Sequence, residues 1–377
     1  MSMNPSLPLM SLLFMIASAV LPVSVWAKAG DFITPTVEIS GSQITYEDDL
    51  NFELLDLAIQ RQLDAFDAGV DLKGRVKFGE TWYPKTILRD SLVLFQEIGR
   101  GARECMTEKM RGECFERFNR AVRTRFRVYR PSVKSTRYTA YYSPDFEGSL
   151  APSERFRVPL YRTPEDNALK ESTRESILYE GVLAGKGLET VYLDTDLFEL
   201  YSLQIEGGGR VRVDLGDGVR VMKHISFDGM NKQPLRFFSK LMVERGYLEP
   251  TQTSYDQQRS VFLSRPEIQR ELFHASPSYV YFKLTDEEPV GIHGIPLTER
   301  RSLAFDRRHY PASGLLNFIK VNVNGKDVTR FMLSQDTGGA IKGPARADLY
   351  FGYGPEARIA AESLGGYGDQ YFLIKKK

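Results

Sequence analysis

From Arg137 onward the chain is written in short β-branched and aromatic runs broken by Gly, Pro and Asp, and this texture restricts the fold more than any other feature. Ser278 to Phe282, Phe318 to Val323 and Arg330 to Leu333 read as strands, and Val211 to Asp214 precedes a Gly216-Asp217-Gly218 turn. Val323-Asn324-Gly325-Lys326 carries the Asn-Gly pair of a two-residue hairpin, whose left-handed backbone those residues adopt at low cost. Many short strands joined by polar turns predict β-barrels rather than a doubly wound parallel sheet. Two helical islands interrupt the pattern, Pro234 to Arg245 before Gly246 and Pro266 to Phe273.

The preceding region has a different period. Between about Asp48 and Val128 apolar residues recur at helical spacing: Leu50, Leu54, Leu57, Ala58 and Leu63 follow Thr45-x-x-Asp48, and Ile87 to Ile98 repeats the signature before Gly99 and Gly101. A chain of 377 residues exceeds what one core usually supports, so two domains are expected. With 50 Lys plus Arg against 49 Asp plus Glu, no global field selects nucleic acid or an anionic membrane. Leu7 to Val25 is uncharged and ends in Val25-Trp26-Ala27 before Lys28, the pattern of an export signal, with an uncleaved anchor as the alternative. No cysteine lies near that site to accept a lipid. Cys105 and Cys114 are the two cysteines of the chain, and export would permit a disulfide between them.

Several chemistries lack their residues. His224, His274, His293 and His309 have no ligand spacing, so no metal site is expected, and no Gly-x-Ser-x-Gly elbow occurs. Gly207-Gly208-Gly209 lacks the Lys-Ser/Thr of a phosphate cradle and reads as a tight turn or a close backbone approach. What remains is a cluster of aspartates beside strands and glycine turns: Asp306, Asp336 before Thr337-Gly338-Gly339-Ala340-Ile341-Lys342-Gly343, and Asp348 before Leu349-Tyr350. A carboxyl at a strand end is held more firmly than one on a loop, which suits acid–base work; taken singly, such aspartates are turn formers or partners of Arg307, Arg308 and Lys342.

Together these three segments resemble the three-aspartate module of the MltA-type lytic murein transglycosylases. The resemblance continues in Thr139-Ala140-Tyr141-Tyr142-Ser143-Pro144, Val158 to Pro164, Gln204 to Gly209, Gly229-Met230-Asn231 and Ser278 to Lys283, and covers about Arg137 to Lys377. It implies a mainly β protein with N-terminal helices: a double-psi β-barrel domain, a second β domain inserted into it, and a substrate groove between the two. On this reading 1–27 is the signal peptide and 28–130 a helical part packing on the barrel. Segments 131–144 and 276–377 form the barrel, and 145–275 the insert. The implied reaction cleaves the β-1,4 bond from N-acetylmuramic acid to N-acetylglucosamine, the muramyl 6-hydroxyl attacking to give a 1,6-anhydro end, with no cofactor. The implied partner is the peptidoglycan glycan strand, met in the periplasm by a monomer that associates at most weakly with the membrane or with other wall enzymes; no nucleic acid is involved.

The same resemblance makes Asp348 the catalytic acid/base, with Asp336 and Asp306 tuning or positioning it, and assigns substrate contacts to Thr139, Tyr141, Gln204, Glu206 and Lys342. A neighbouring carboxylate and burial would both raise the Asp348 pKa, as an acid working near neutral pH requires. The sequence departs from the family pattern at Ala140, at Glu206-Gly207-Gly208-Gly209 and at Lys232. Glu206 either favours glycan with free amino groups or is a solvated edge residue. A hydrolase on the same barrel and a non-catalytic glycan-binding protein are the competing readings.

Overall fold

The computed structural model describes residues 31–377 apart from 71, 106–110, 217, 324 and 325. The candidate export segment therefore lies outside the described residues. Six strands close on themselves: Leu316–Val323, Lys326–Asp336, Ser302–Phe305, Arg346–Tyr353, Thr136–Ser143 and Gly366–Lys375, the last pairing back to the first. Closure removes the sheet edges that would otherwise need cover. Phe126–Pro131 pairs with the far end of Gly366–Lys375, and Thr36–Ile39 pairs with Phe126–Pro131, extending the wall to eight strands. Val323 pairs with Lys326 as the hairpin reading requires; Asn324 and Gly325 between them are not described.

Helices Leu55–Asp67, Ile87–Cys105 and Arg111–Arg125 seal one side of this barrel. Leu55, Ala58, Ile59, Gln62, Leu63 and Phe66 form the buried stripe of the first, at the spacing one helix face demands. Phe331 is the common contact, its ring 4.6 Å from Phe95 and 4.9 Å from Phe318. The first helix begins at Leu55, not at Asp48 as the capping pattern suggested. Asp48 is wholly buried against Arg301, whose Nη1 and Nη2 donate to it at 2.6 and 2.8 Å, and it also accepts the N–H groups of Phe52 and Phe331. Asn51, Phe52 and Leu54 take left-handed φ of 47°, 63° and 59°, so no helix runs from Asp48 to Leu54. The second helix runs past Gly99 and Gly101 to Cys105, which is bonded to Cys114. Residues 75–78 and 81–84, inside the region of helical period, form a hairpin instead.

The strand Thr136–Ser143 leads through Pro144 straight into Asp145–Ser149, the first strand of a second, six-stranded sheet. Helices Leu197–Glu206, Phe238–Glu244, Tyr255–Ser264 and Pro266–Ala275 pack together beside it around Phe198, Tyr201, Phe238, Phe262 and Phe273. Val280–Thr285 pairs antiparallel with Arg220–Met230, so this return strand lies in the inserted sheet. Gly207 ends the Leu197–Glu206 helix in the left-handed conformation at φ 83°, and a Cβ on Gly209 would stand 2.6 Å from the Pro144 carbonyl. The triple glycine is thus a helix stop followed by a close approach to the strand that enters the insert.

Candidate active site

Four neighbouring barrel strands carry one row of side chains: Asp336, Ala304, Asp348 and Thr139 are successive register partners. Partners in register project to the same face of a sheet, whereas Leu303, Ala347 and Leu349, of opposite parity, join the core. A bulge produces this row. Leu303 pairs with Ser334 but Ala304 pairs with Asp336, so one residue is skipped. Without the skip Gln335 would oppose Ala304. Instead Gln335 is fully buried, receiving the Ser302 hydroxyl at 2.7 Å and donating to the Ala58 carbonyl at 3.1 Å. The bulge re-aims the carboxyl of Asp336 onto the face that bears Asp348. Ala304, buried between the two acids, puts only a methyl group between them.

The two acids are held by neutral donors. The Thr139 hydroxyl donates to Asp348 Oδ1. The Tyr141 hydroxyl donates to Asp336 Oδ2 at 2.7 Å, and the Thr337 N–H to Asp336 Oδ1 at 2.8 Å. Burial pushes Asp336 up to about 6, with a smaller upward contribution from Asp348, against the downward pull of Tyr141 and Thr337. Burial also raises Asp348, while Thr139 and Arg346 pull it down. Burial is the largest cause for both acids, and the like charge of Asp348 adds to the rise at Asp336; such a repulsion acts on both members of a pair. Tyr141, its ring centroid 5.3 Å from that of Tyr350, is pushed well above the ordinary phenol value, first by burial and then by Asp336.

Asp306 is built otherwise. It follows the Ser302–Phe305 strand, is buried, and receives Arg308 Nε at 2.8 Å, Arg308 Nη2 at 2.5 Å, and the N–H groups of Arg308 and Gly343 at 3.1 and 2.8 Å. The Arg308 guanidinium first, then these N–H groups, overcome the cost of burial and hold its carboxyl far below the usual range. Thr337 Oγ1 donates to the Phe305 carbonyl at 2.9 Å, so both ends of the segment 337–343 are tied to the strand end that bears Asp306. Lys342 is exposed on that segment.

Of the other expected contact residues, Gln204 is buried, its amide donating to the Val280 carbonyl at 3.5 Å within the insert, and it does not join the aspartates. Glu206 is no solvated edge residue. Its Oε2 accepts the Tyr142 N–H at 3.2 Å, and burial, with help from Asp348 and Glu362, pushes it up to about 8. A carboxyl raised to about 8 favours its neutral form at neutral pH, so it carries less charge with which to select free amines. Tyr142 points away from the acid row. Hollows lined by Tyr142, Ser202 and Tyr255 open on that side, between the Gly354–Ser363 helix and the inserted helices. The sequence reading missed Ala304 and the bulge beside it, for which no local signal exists.

Residues 137–283 match the family model of the MltA specific insert domain, and residues 301–373 that of the 3D domain. The chain belongs to the MltA family. It is 31% identical over 240 residues to the membrane-bound lytic murein transglycosylase A of Vibrio cholerae, a match covering 61% of this chain and 63% of that protein. It is 30% identical over 247 residues to the Escherichia coli K12 protein of the same name, covering 63% of this chain and 66% of that one. The matched span is thus just under two thirds of these relatives' length. Among solved structures, the membrane-bound lytic murein transglycosylase of Agrobacterium tumefaciens superposes with a TM-score of 0.71 at 24% identity, covering 90% of this chain and 97% of that one. The E. coli MltA structure with bound chitohexaose gives 0.68 at 23%, covering 93% and 97%. These likenesses establish a shared fold over nearly the whole MltA chain.

Proposed function

We propose that this MltA-family chain is a peptidoglycan lytic transglycosylase, cutting between N-acetylmuramic acid and N-acetylglucosamine. The observation that carries the reading is a half-buried, protonatable Asp348 held by the Thr139 hydroxyl in one row with Asp336; the relatives' names and the glycan bound to the E. coli protein support it. The Asp348 carboxyl gives its proton to the glycosidic oxygen as the bond from muramyl C1 breaks. The muramyl 6-hydroxyl then closes on C1 and returns its proton to Asp348. No water is consumed and the acid is regenerated. Asp336, ionised above about pH 6, faces the positive charge that develops at C1. Thr139 and Tyr141 hold the two acids, Asp306 anchors the segment that presents Lys342, and Glu206 offers the groove a hydrogen bond rather than a charge. Val280–Thr285 belongs with the insert in this scheme, which places the domain boundary after that strand.

A hydrolase is the alternative: Asp336 and Asp348 lie two strands apart in one row, and a pair of carboxyls can serve as acid and base for a water. Mass spectrometry of a murein digest decides. An anhydro end is lighter than a reducing end by one water; reducing ends would overturn the transglycosylase reading, and binding without any product would make the chain a glycan-binding module. The site of action is the periplasm, reached by cleavage after Ala27, with the mature chain acting as a monomer. N-terminal sequencing of the exported protein tests this, and recovery of an intact Met1 in the membrane fraction would show an anchor. Among the described residues no helix is long and apolar enough to cross a membrane.

A further inference from the structure

One step down the same strands from Asp348 and Thr139 lies a second row of register partners, Arg346, Arg137 and Tyr367. It lies on the face of the acids, since Arg346 and Arg137 each precede a member of the first row by two positions, about 6.6 Å along the strand. Two arginines directly opposite one another repel, which costs a sheet stability unless something compensates. Elsewhere arginines meet carboxylates: Arg210 with Asp145, Arg259 with Asp196, Arg308 with Asp306 and Arg330 with Asp49. Among the described residues neither Arg137 nor Arg346 forms such an ion pair. Arg346 Nη1 is buried without a hydrogen-bond partner, and Tyr367 stands 69% exposed among Gly365, Gly366 and Gly368. A buried donor without an acceptor is costly, so a ligand that supplies an acceptor there binds with that cost returned.

We propose that Arg346, Arg137 and Tyr367 form a subsite for the carboxylates of the peptide stem borne by the muramyl unit undergoing cleavage. The inference rests on the function proposed above. Its chemistry follows from the substrate: the residue whose C1 reacts carries the stem on its own lactyl group, so a stem-binding cation must lie beside the acid. Guanidinium forks match a carboxylate in two hydrogen bonds, and the exposed Tyr367 ring supplies a face for the stem's aliphatic atoms. The subsite makes the enzyme a reader of stem-bearing glycan in preference to bare strands.

The test compares stem-bearing murein glycan with strands stripped of stems by an amidase. Arg137→Gln is expected to raise KM on the first about tenfold with kcat unchanged, and to leave the second unaffected. Its melting temperature should not fall, since a like-charge pair is relieved. Arg346→Gln should show the same split and also move the alkaline limb of activity upward, because Arg346 holds Asp348 down. Equal losses on both substrates, or none on either, overturn the subsite. Should the wild type cleave neither substrate, the proposed reaction fails; titration of Asp348→Asn with a muramyl disaccharide carrying a tetrapeptide stem, against the same disaccharide without it, still judges the subsite. The stem should tighten binding, and Arg137→Gln should abolish the difference. Equal affinity for the two ligands refutes it.

Discussion

The corner at Asp306 and the open face at Asp336 and Asp348 contain the same residue type in the same barrel, yet they are opposite electrostatic objects. Asp306 meets a guanidinium and two N–H groups and is locked in its ionised form. Asp336 and Asp348 meet hydroxyls and an N–H, are half-buried, and are raised by desolvation towards the working range of an acid. The partner and not the position on a strand end separates a structural aspartate from a chemical one. A carboxylate in direct contact with a guanidinium stores stability; one desolvated with only hydroxyl and N–H donors in contact stores reactivity.

The largest test of this contrast is Asp348→Asn. The amide keeps the shape and the Thr139 contact but has no proton to exchange, so cleavage should fall about 10⁴-fold, the upper end for a general acid–base group, with glycan binding retained. Substantial residual anhydro product would place the chemistry on another aspartate. Asp306→Asn should act through stability instead, losing about 2 to 3 kcal/mol because a charged acceptor of several hydrogen bonds is removed. Its carboxyl is depressed in the fold, so its contribution is full above the unfolded value near 4 and is lost only as pH falls below it. Denaturant melts of wild type and variant should therefore converge in strong acid and differ at pH 7.

Asp336→Asn should do the reverse. A carboxyl raised to about 6 stabilises the fold while protonated, and that contribution fades as pH rises through 6. Removing the charge is expected to gain about 1 to 3 kcal/mol at pH 7 and nothing near pH 4; the Asn oxygen still accepts from Thr337 and its amide can donate to Tyr141. A loss of stability at pH 7 would mean that Asp336 is paired like Asp306. The smallest effect belongs to Thr139→Val, which deletes a donor that holds Asp348 down. The alkaline limb of the pH–rate profile should move up by roughly half a unit to one unit. Asp336→Asn should move that limb down, because an ionised carboxyl on the same face holds the Asp348 proton more tightly. An unmoved limb would leave burial as the whole cause.

Both strand and turn texture, and the helical stripe of residues 55–66, were legible in the chain because alternation and 3.6-residue spacing are local properties of residues that must each find an apolar side. The three aspartates were legible as a group for the same local reason, each abutting a strand or a glycine turn. The start of the first helix was misread because Asn51, Phe52 and Leu54 turn left-handed where Asp48 packs on Arg301, 253 positions away. Gln204, expected at a groove, turned inward because the sheet that receives it is completed by Val280, 76 positions later.

What the sequence by itself determined is therefore the inventory: a mainly β chain with helices ahead of it, a family signature, and acids poised at strand ends. The tertiary structure decided what each acid is. The skipped residue beside Ala304 chose Asp336 over Gln335 for the open face, register brought Thr139 to Asp348 across 209 positions, and the segment 337–343 closed on Asp306. A carboxyl's proton affinity depends on burial and on the charge within a few ångströms. In a barrel closed by strands distant in the chain, both are set by register, which no local stretch of residues encodes.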